Sequence, residues 1–208
     1  TGGISGGVGN NIQIHSVGYP ASSFFVYEQV YAKDGKPIEG LYVDRNQDGT
    51  ITPDDRYRYK SPNADFFMGF SAKYTIDKFD VGFSARANVG NHVYNNVLSN
   101  SGLYNNLYNS AGYINNVVSG TEGVDFKNAQ YFSDHYINNA SFLRFDNITL
   151  GYQLPTVSVF KGARLWATVQ NPILVTNYEG IDPEISGGID NNFYPRSRTF
   201  LFGLSFNL

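Results

Sequence analysis

The chain has 208 residues, with 22 Gly, 16 Tyr, 16 Phe, no Cys, 16% charged residues and a formal net charge of −3. That balance gives no electrostatic footprint for nucleic acid, and the glycine and aromatic content suits β-structure with glycine-rich loops better than a helical enzyme. No stretch approaches the roughly 18 consecutive apolar residues of a membrane helix, so a membrane protein with this sequence has to be a barrel, the other structure that satisfies every backbone polar group in lipid.

The chain opens at Thr1 without Met or a signal peptide and is expected to be a processed or partial chain. Gly2-Gly3 and Gly6-Gly7 lack the following helix and Lys of a phosphate loop. The first chemical motif is Asp44–Asp55. Asp44, Asn46 and Asp48 occupy positions 1, 3 and 5 of an EF-hand-type loop, and Gly49 holds the sharp-turn position. Thr50 would supply its backbone carbonyl, Ile51 would anchor the loop, and Asp55 replaces the longer Glu of position 12. Hard oxygen ligands at this spacing can wrap one Ca²⁺. An Asx-rich turn closed by hydrogen bonds alone uses the same residues. Gly40–Val43 looks extended and Pro53 interrupts the far side, so the expected role is to stiffen an external loop rather than to sense calcium.

From Phe66 to Ile76 the even positions are Phe, Met, Phe, Ala, Tyr and Ile, and the odd positions are Phe, Gly, Ser, Lys and Thr. After Asp77-Lys78, Phe79, Val81, Phe83, Ala85, Ala87 and Val89 share one face, against Asp80, Gly82, Ser84, Arg86 and Asn88. Two alternating runs of 11 residues joined by two residues predict a hairpin. Soluble strands average about 5–6 residues, whereas tilted membrane strands need roughly 9–11. Length therefore favours a lipid-facing wall.

Residues 90–141 form a long connection rich in Tyr and Asn, as in Tyr94-Asn95-Asn96, Tyr104-Asn105-Asn106, Tyr108-Asn109 and Tyr113. Such side chains stack on and hydrogen-bond sugars and are equally common at protein interfaces. Further strands are predicted near 142–153, with a bulge near Asp146, and at 163–170 and 199–208. Leu154–Gly162 is a short connection and 171–198 a long one. Asp182 and Glu184 flank Pro183 and read as a turn rather than an acid/base pair. His15, His92 and His135 have no ligand spacing, and no catalytic constellation is present. The fold class is thus all-β, with 1–64 an extracellular loop region and 65–208 membrane strands. Short turns would face the periplasm, and the long loops 90–141 and 171–198 the exterior. Five strands cannot close a barrel, so the remaining strands belong to an upstream segment or another chain. The alternative is a soluble calcium-stabilised β-sandwich, an adhesin or carbohydrate-binding module.

Several stretches together resemble the C-terminal end of the SusC/RagA family of TonB-linked outer-membrane transporters of Bacteroidetes. They are Val17-Gly18-Tyr19-Pro20 with Ser23-Phe24-Phe25, Asp44–Arg56, and Asn63-Ala64-Asp65-Phe66. Ser141-Phe142-Leu143-Arg144 running into Asn147–Tyr152 follows, then Gly180–Glu184, Tyr194-Pro195-Arg196 and Arg198-Thr199-Phe200 to the end. The resemblance implies a barrel of about 22 strands set in outer-membrane lipid. It also implies an N-terminal plug, coupling to the TonB complex through a region this chain lacks, and a SusD-type lipoprotein lid. The implied activity is import of glycans or peptides. A C-terminal strand recognised by the outer-membrane assembly machinery is also implied. Thr1–Gly9 and the 90–141 connection carry nothing specific to the family.

Overall fold

The computed structural model describes residues 11–108, 110–155, 162–191 and 194–207. Thr1–Gly9, most of the Leu154–Gly162 connection and the terminal Leu208 lie outside them. The chain divides into two compact units.

One unit, residues 65–89, 141–177 and 195–208, is a single sheet. Its strands are β1 (Phe66–Ile76), β2 (Phe79–Val89), β3 (Phe142–Leu154), β4 (Gly162–Thr176) and β5 (Thr199–Asn207). They lie in the order β5-β4-β3-β2-β1, every pair antiparallel. The hairpin turn puts Asp77 at φ 51°, the left-handed region that a two-residue connection demands. An 11-residue strand is roughly 36 Å long and, tilted about 45°, crosses roughly 25 Å. That matches the apolar band of an outer-membrane barrel.

Register turns the sequence alternation into two chemically distinct faces. On one, Ala72 opposes Phe83, Phe83 opposes Ile148 and Ile148 opposes Val169. Aromatic rings bridge strands along this face, Phe83 with Phe145 at 5.6 Å and Phe79 with Tyr152 at 4.7 Å between centroids. Phe202, 80% exposed, ends the face on β5, and such exposure suits contact with hydrocarbon rather than water. The other face is held by polar pairs. Asn147 Nδ2 donates to Ser84 Oγ at 2.6 Å, and the Thr149 and Thr168 hydroxyls meet at 2.7 Å. Arg164 grips Asp80 through two parallel bonds, Nε to Oδ1 at 2.9 Å and Nη2 to Oδ2 at 2.6 Å, with Lys73 Nζ 3.7 Å away.

Two glycines make room for this polar face. A Cβ on Gly151 would stand 2.3 Å from Arg164 Nη2 and 2.4 Å from Asp80 Oδ1. On Gly203 it would stand 2.2 Å from the Trp166 indole. The ion pair and the ring therefore lie flat across backbone that has to stay bare.

One strand departs from its sequence expectation. β4 does not stop at Gln170 but runs to Thr176, through Pro172. Proline donates no ladder hydrogen bond and normally marks an edge or a bulge. Both conditions hold here. β5 ends its pairing at Gln170, leaving that side of 171–176 without a ladder partner in the sheet. The β3–β4 register also shifts between Phe145 and Asn147, the bulge expected near Asp146. Arg198 Nη2 closes the site by donating to the Pro172 carbonyl at 2.9 Å.

The second unit gathers residues 1–64, 90–140 and 178–194. Those segments, expected as separate loops, carry short strands of their own. Ser23–Val26 lies between Gln13–Ile14 and Tyr57–Arg58, and Gln29–Tyr31 pairs with Pro37–Tyr42. His92–Asn95 lies between Ile189–Asp190 and Ile137–Asn139. Ile12, Phe24, Val26, Tyr94, Leu98, Val124, Phe126, Tyr136 and Ile137 form its core. Their distance along the chain is why no local pattern reveals it.

Gly203→Ala and Gly151→Ala are each expected to destabilise the full-length barrel by about 1–3 kcal/mol through overpacking. Gly69→Ala, whose Cβ meets nothing within 4 Å, serves as the neutral control. Heat-dependent mobility on gels would measure this, and equal stability of all three variants would refute the packing account.

Candidate functional site

The 44–55 loop hangs from the Gln29–Tyr31/Pro37–Tyr42 hairpin. Val43 N–H donates to the Glu28 carbonyl at 3.0 Å, and the Arg45 guanidinium pairs with Glu28 while lying 4.5 Å over the Tyr57 ring. Within the loop Asp44 accepts from the N–H groups of Gln47 (2.7 Å) and Gly49 (2.8 Å). Asn46 Oδ1 accepts from Asp48 N–H at 3.0 Å, and Asp48 Oδ1 from Thr50 N–H at 2.8 Å. Gly49 has φ 83°, a conformation that disfavours any side chain.

Asp55 is the hub. It is fully buried and sits in a short 3₁₀ turn, Pro53–Asp55, opened by a Thr52 capping box. Its carboxylate accepts from Thr52 N–H at 2.8 Å, Arg45 N–H at 2.9 Å and Asn46 N–H at 3.3 Å. The Thr52 N–H foremost, with those of Asn46 and Arg45, holds this carboxyl below its ordinary 3.8, against the opposing effect of burial. Among the described residues no three His, Asp or Glu side chains are grouped to hold a metal ion. The donor chemistry still leaves capacity. A carboxylate has about four lone-pair sites, so Asp44 and Asp48 each keep about two and Asp55 about one.

Beside the loop lies a buried polar knot that sequence spacing does not disclose. Asp134 accepts from Gln29 N–H at 3.0 Å and from the Tyr57 hydroxyl at 2.7 Å. Ser133 Oγ donates to Gln29 Oε1 at 2.7 Å, and Gln29 Nε2 reaches the Ile38 and Leu41 carbonyls at 2.8 and 3.1 Å. Burial pushes the Asp134 carboxyl up, against the two bonds it accepts, and pushes the adjacent His135 down. The partners are about 77 and 105 residues away in sequence, so only the fold brings them together. The histidines stay apart: His15 meets Ser22 at 3.0 Å, His92 the Gly90 carbonyl at 2.9 Å, and His135 the Tyr31 hydroxyl at 3.3 Å. Asp182 accepts from Glu184 N–H at 2.9 Å, the turn expected there. The Asp80–Arg164 pair was legible only as two charges on polar faces.

A five-stranded antiparallel wall with one hydrocarbon-compatible face and one polar face defines a piece of a transmembrane β-barrel. No family model matches the chain. The TonB-dependent receptor SusC of Bacteroides thetaiotaomicron is 47% identical over 97% of the chain, which spans 21% of that receptor. The TonB-dependent receptor P3 of Formosa agariphila is 30% identical over 83% of the chain. A chain in the structure of the RagAB peptide transporter superposes with a TM-score of 0.72 at 26% identity, covering 96% of this chain and 24% of that one. The RagAB peptide importer in its open-open state gives 0.71 at 25% identity. The chain belongs to the SusC/RagA family of TonB-dependent outer-membrane β-barrel proteins. It spans about a fifth of the length of the curated relatives it matches.

Because the folded pKa of Asp55 lies below its unfolded value, its contribution is complete above 3.8 and is lost as pH falls through the folded value. Asp55→Asn, which cannot offer a carboxylate to three N–H groups, is expected to raise cleavage within 44–55 several-fold under limited proteolysis at neutral pH. Wild type should approach the variant only in strong acid. Equal cleavage of the two at neutral pH would contradict the hub assignment.

Proposed function

We propose that this chain is part of a TonB-dependent outer-membrane importer of glycans or peptides that works with a SusD-type surface lipoprotein. The observation that carries it is the SusC likeness along nearly the whole chain, on a sheet whose strand length and two-faced chemistry suit a barrel wall. In this reading the lumen face, with Asp80, Arg164 and Trp166, looks toward a plug supplied by another part of the protein, and the energised step is coupled there to the TonB complex. The segments 1–64, 90–141 and 177–198 would be extracellular, since all three chain excursions leave the sheet from the end where Phe66, Val89, Phe142, Thr176 and Thr199 lie.

Cells carrying the full-length protein should take up an oligosaccharide or peptide that cells lacking it do not, and a protonophore should abolish the uptake. Uptake that persists without an energised inner membrane would refute the TonB-coupled reading. Release of the protein by carbonate washing without detergent would favour the β-sandwich alternative and sink this one.

The 44–55 loop is proposed to take one Ca²⁺ through Asp44, Asn46, Asp48, the Thr50 carbonyl and Asp55, stiffening an external loop. What supports it is the ligand spacing, the lone pairs left on Asp44 and Asp48, and the Asp44 carboxyl adjoining that of Asp55. Asp48→Ala should then raise protease sensitivity of the loop in calcium by several-fold. Identical digestion of the wild type in calcium and in EDTA would leave the hydrogen-bonded turn as the whole account.

A further inference from the structure

The hydrocarbon-facing side of the sheet carries a groove of about 340 Å³ near the Asp77-Lys78 turn. It is built by one small side chain among large ones. Register sets Val81, Leu150, Ala167 and Phe202 in a single outward row across β2 to β5, with Tyr152 and Leu165 in the next row toward the turn. Ala167 ends at Cβ, while Leu150, Leu165 and Phe202 stand 54%, 45% and 80% exposed around it. The result is an apolar notch over β4, walled by side chains of β3 and β5. Its depth is fixed by the hairpin. The Lys78 carbonyl accepts from Gln153 N–H at 2.7 Å, which sets the turn level with Gln153. Leu150 and its partner Ala167 lie three residues farther along β3, roughly 10 Å of strand and about 7 Å of depth at a tilt of about 45°. The headgroup layer on each side of a bilayer is roughly 5–8 Å thick. A lipid whose headgroup meets the turn therefore has its acyl chain at Ala167.

We propose that the groove is a binding site for one glycerophospholipid of the periplasmic leaflet, with a phosphoethanolamine headgroup at the turn and an acyl chain over Ala167. The inference rests on the barrel orientation proposed above, which puts the turn on the periplasmic side. Three features select this occupant. An apolar notch left empty forfeits dispersion contacts along its walls, and an acyl chain is slim and flexible enough to restore them. Tyr152 lies against Phe79 with ring centroids 4.7 Å apart, in the row next to the turn, where an amphipathic ring suits the interfacial belt. Asp77 and Lys78, both exposed, set one charge of each sign at the headgroup level, complementary to an ammonium and a phosphate. A purely anionic headgroup would meet Asp77 with like charge.

The test uses the full-length protein in mild detergent, exchanged into a mixture of phosphatidylethanolamine, phosphatidylglycerol and lipopolysaccharide, with retained lipid counted by native mass spectrometry. Phosphatidylethanolamine should be retained over the other two. Ala167→Leu, which fills the notch, should lower that retention several-fold, and Lys78→Gln should lower it as well. Phe200→Leu, on the same face one row beyond the groove, should leave it unchanged. Heat-dependent gel mobility identifies a variant that fails to fold; Lys78→Gln, in an exposed turn, then carries the test. Equal retention by the wild type and both groove variants would overturn the proposal, as would preference for phosphatidylglycerol or lipopolysaccharide. So would a dimer that Ala167→Leu dissociates, since a second copy would then fill the groove. Orientation is read separately, from labelling of a Lys78→Cys variant by an impermeant maleimide, with the unsubstituted protein as blank. Labelling in intact cells would overturn the orientation and the periplasmic lipid with it. Protection from labelling together with equal retention would sink the lipid site alone.

Discussion

The structure depends on the cost of an unpaired backbone polar group in hydrocarbon. Each N–H or C=O left bare in lipid costs several kcal/mol, so a strand of 11 to 15 residues can face a bilayer only when both of its edges are paired. Among the described residues β2, β3 and β4 meet that condition over most of their length, while β1 and β5 each pair on one side. Every residue of β1 is exposed. The wall is therefore complete only as part of a closed barrel, and the family relationship supplies the same answer from sequence.

The same constraint explains where irregularity is tolerated. Pro172 and the Asp146 bulge face each other across the β3–β4 ladder, beyond the last β5 pair, and the same bulge shifts the β2–β3 register. There the missing proline donor falls on a stretch that no further strand needs. From Asn147 to Tyr152 the ladders on both sides of β3 run unbroken, and the side chains adapt instead. Asp80 and Arg164 bury part of their charge against bare glycine backbone, with a bidentate geometry that compensates for lost hydration better than a single contact would.

The other unit is organised on opposite terms. Its strands are mostly two to four residues long, too short to define a sheet alone, and its order comes from side-chain hydrogen bonds to backbone. Gln29, Asp134 and Asp55 each satisfy several groups from distant or locally irregular segments. A polar network of this kind holds loops in place without regular secondary structure. A polar depression in this unit, lined by Asn105, Asn106 and Tyr108, is built in the same way, from backbone turns.

The sequence by itself determined the wall. Alternation with period two places Phe, Val and Leu on one face and Gly, Ser and Asn on the other, and strand length separates a membrane wall from a soluble sheet. Those signals are local, carried by residues i and i+2, and so are readable without neighbours. The Asp44–Asp55 turn was legible for the same reason, its partners lying within a dozen residues. Tertiary structure alone decided the rest. It showed β4 continuing past Pro172, because tolerance of proline depends on which strand lies alongside. It revealed Gly151 and Gly203 as platforms, because an ion pair and an indole from other strands lie across them. It joined the three apparent loops into one unit, because Phe24, Tyr94 and Ile189 meet only after the chain has passed through the wall and returned.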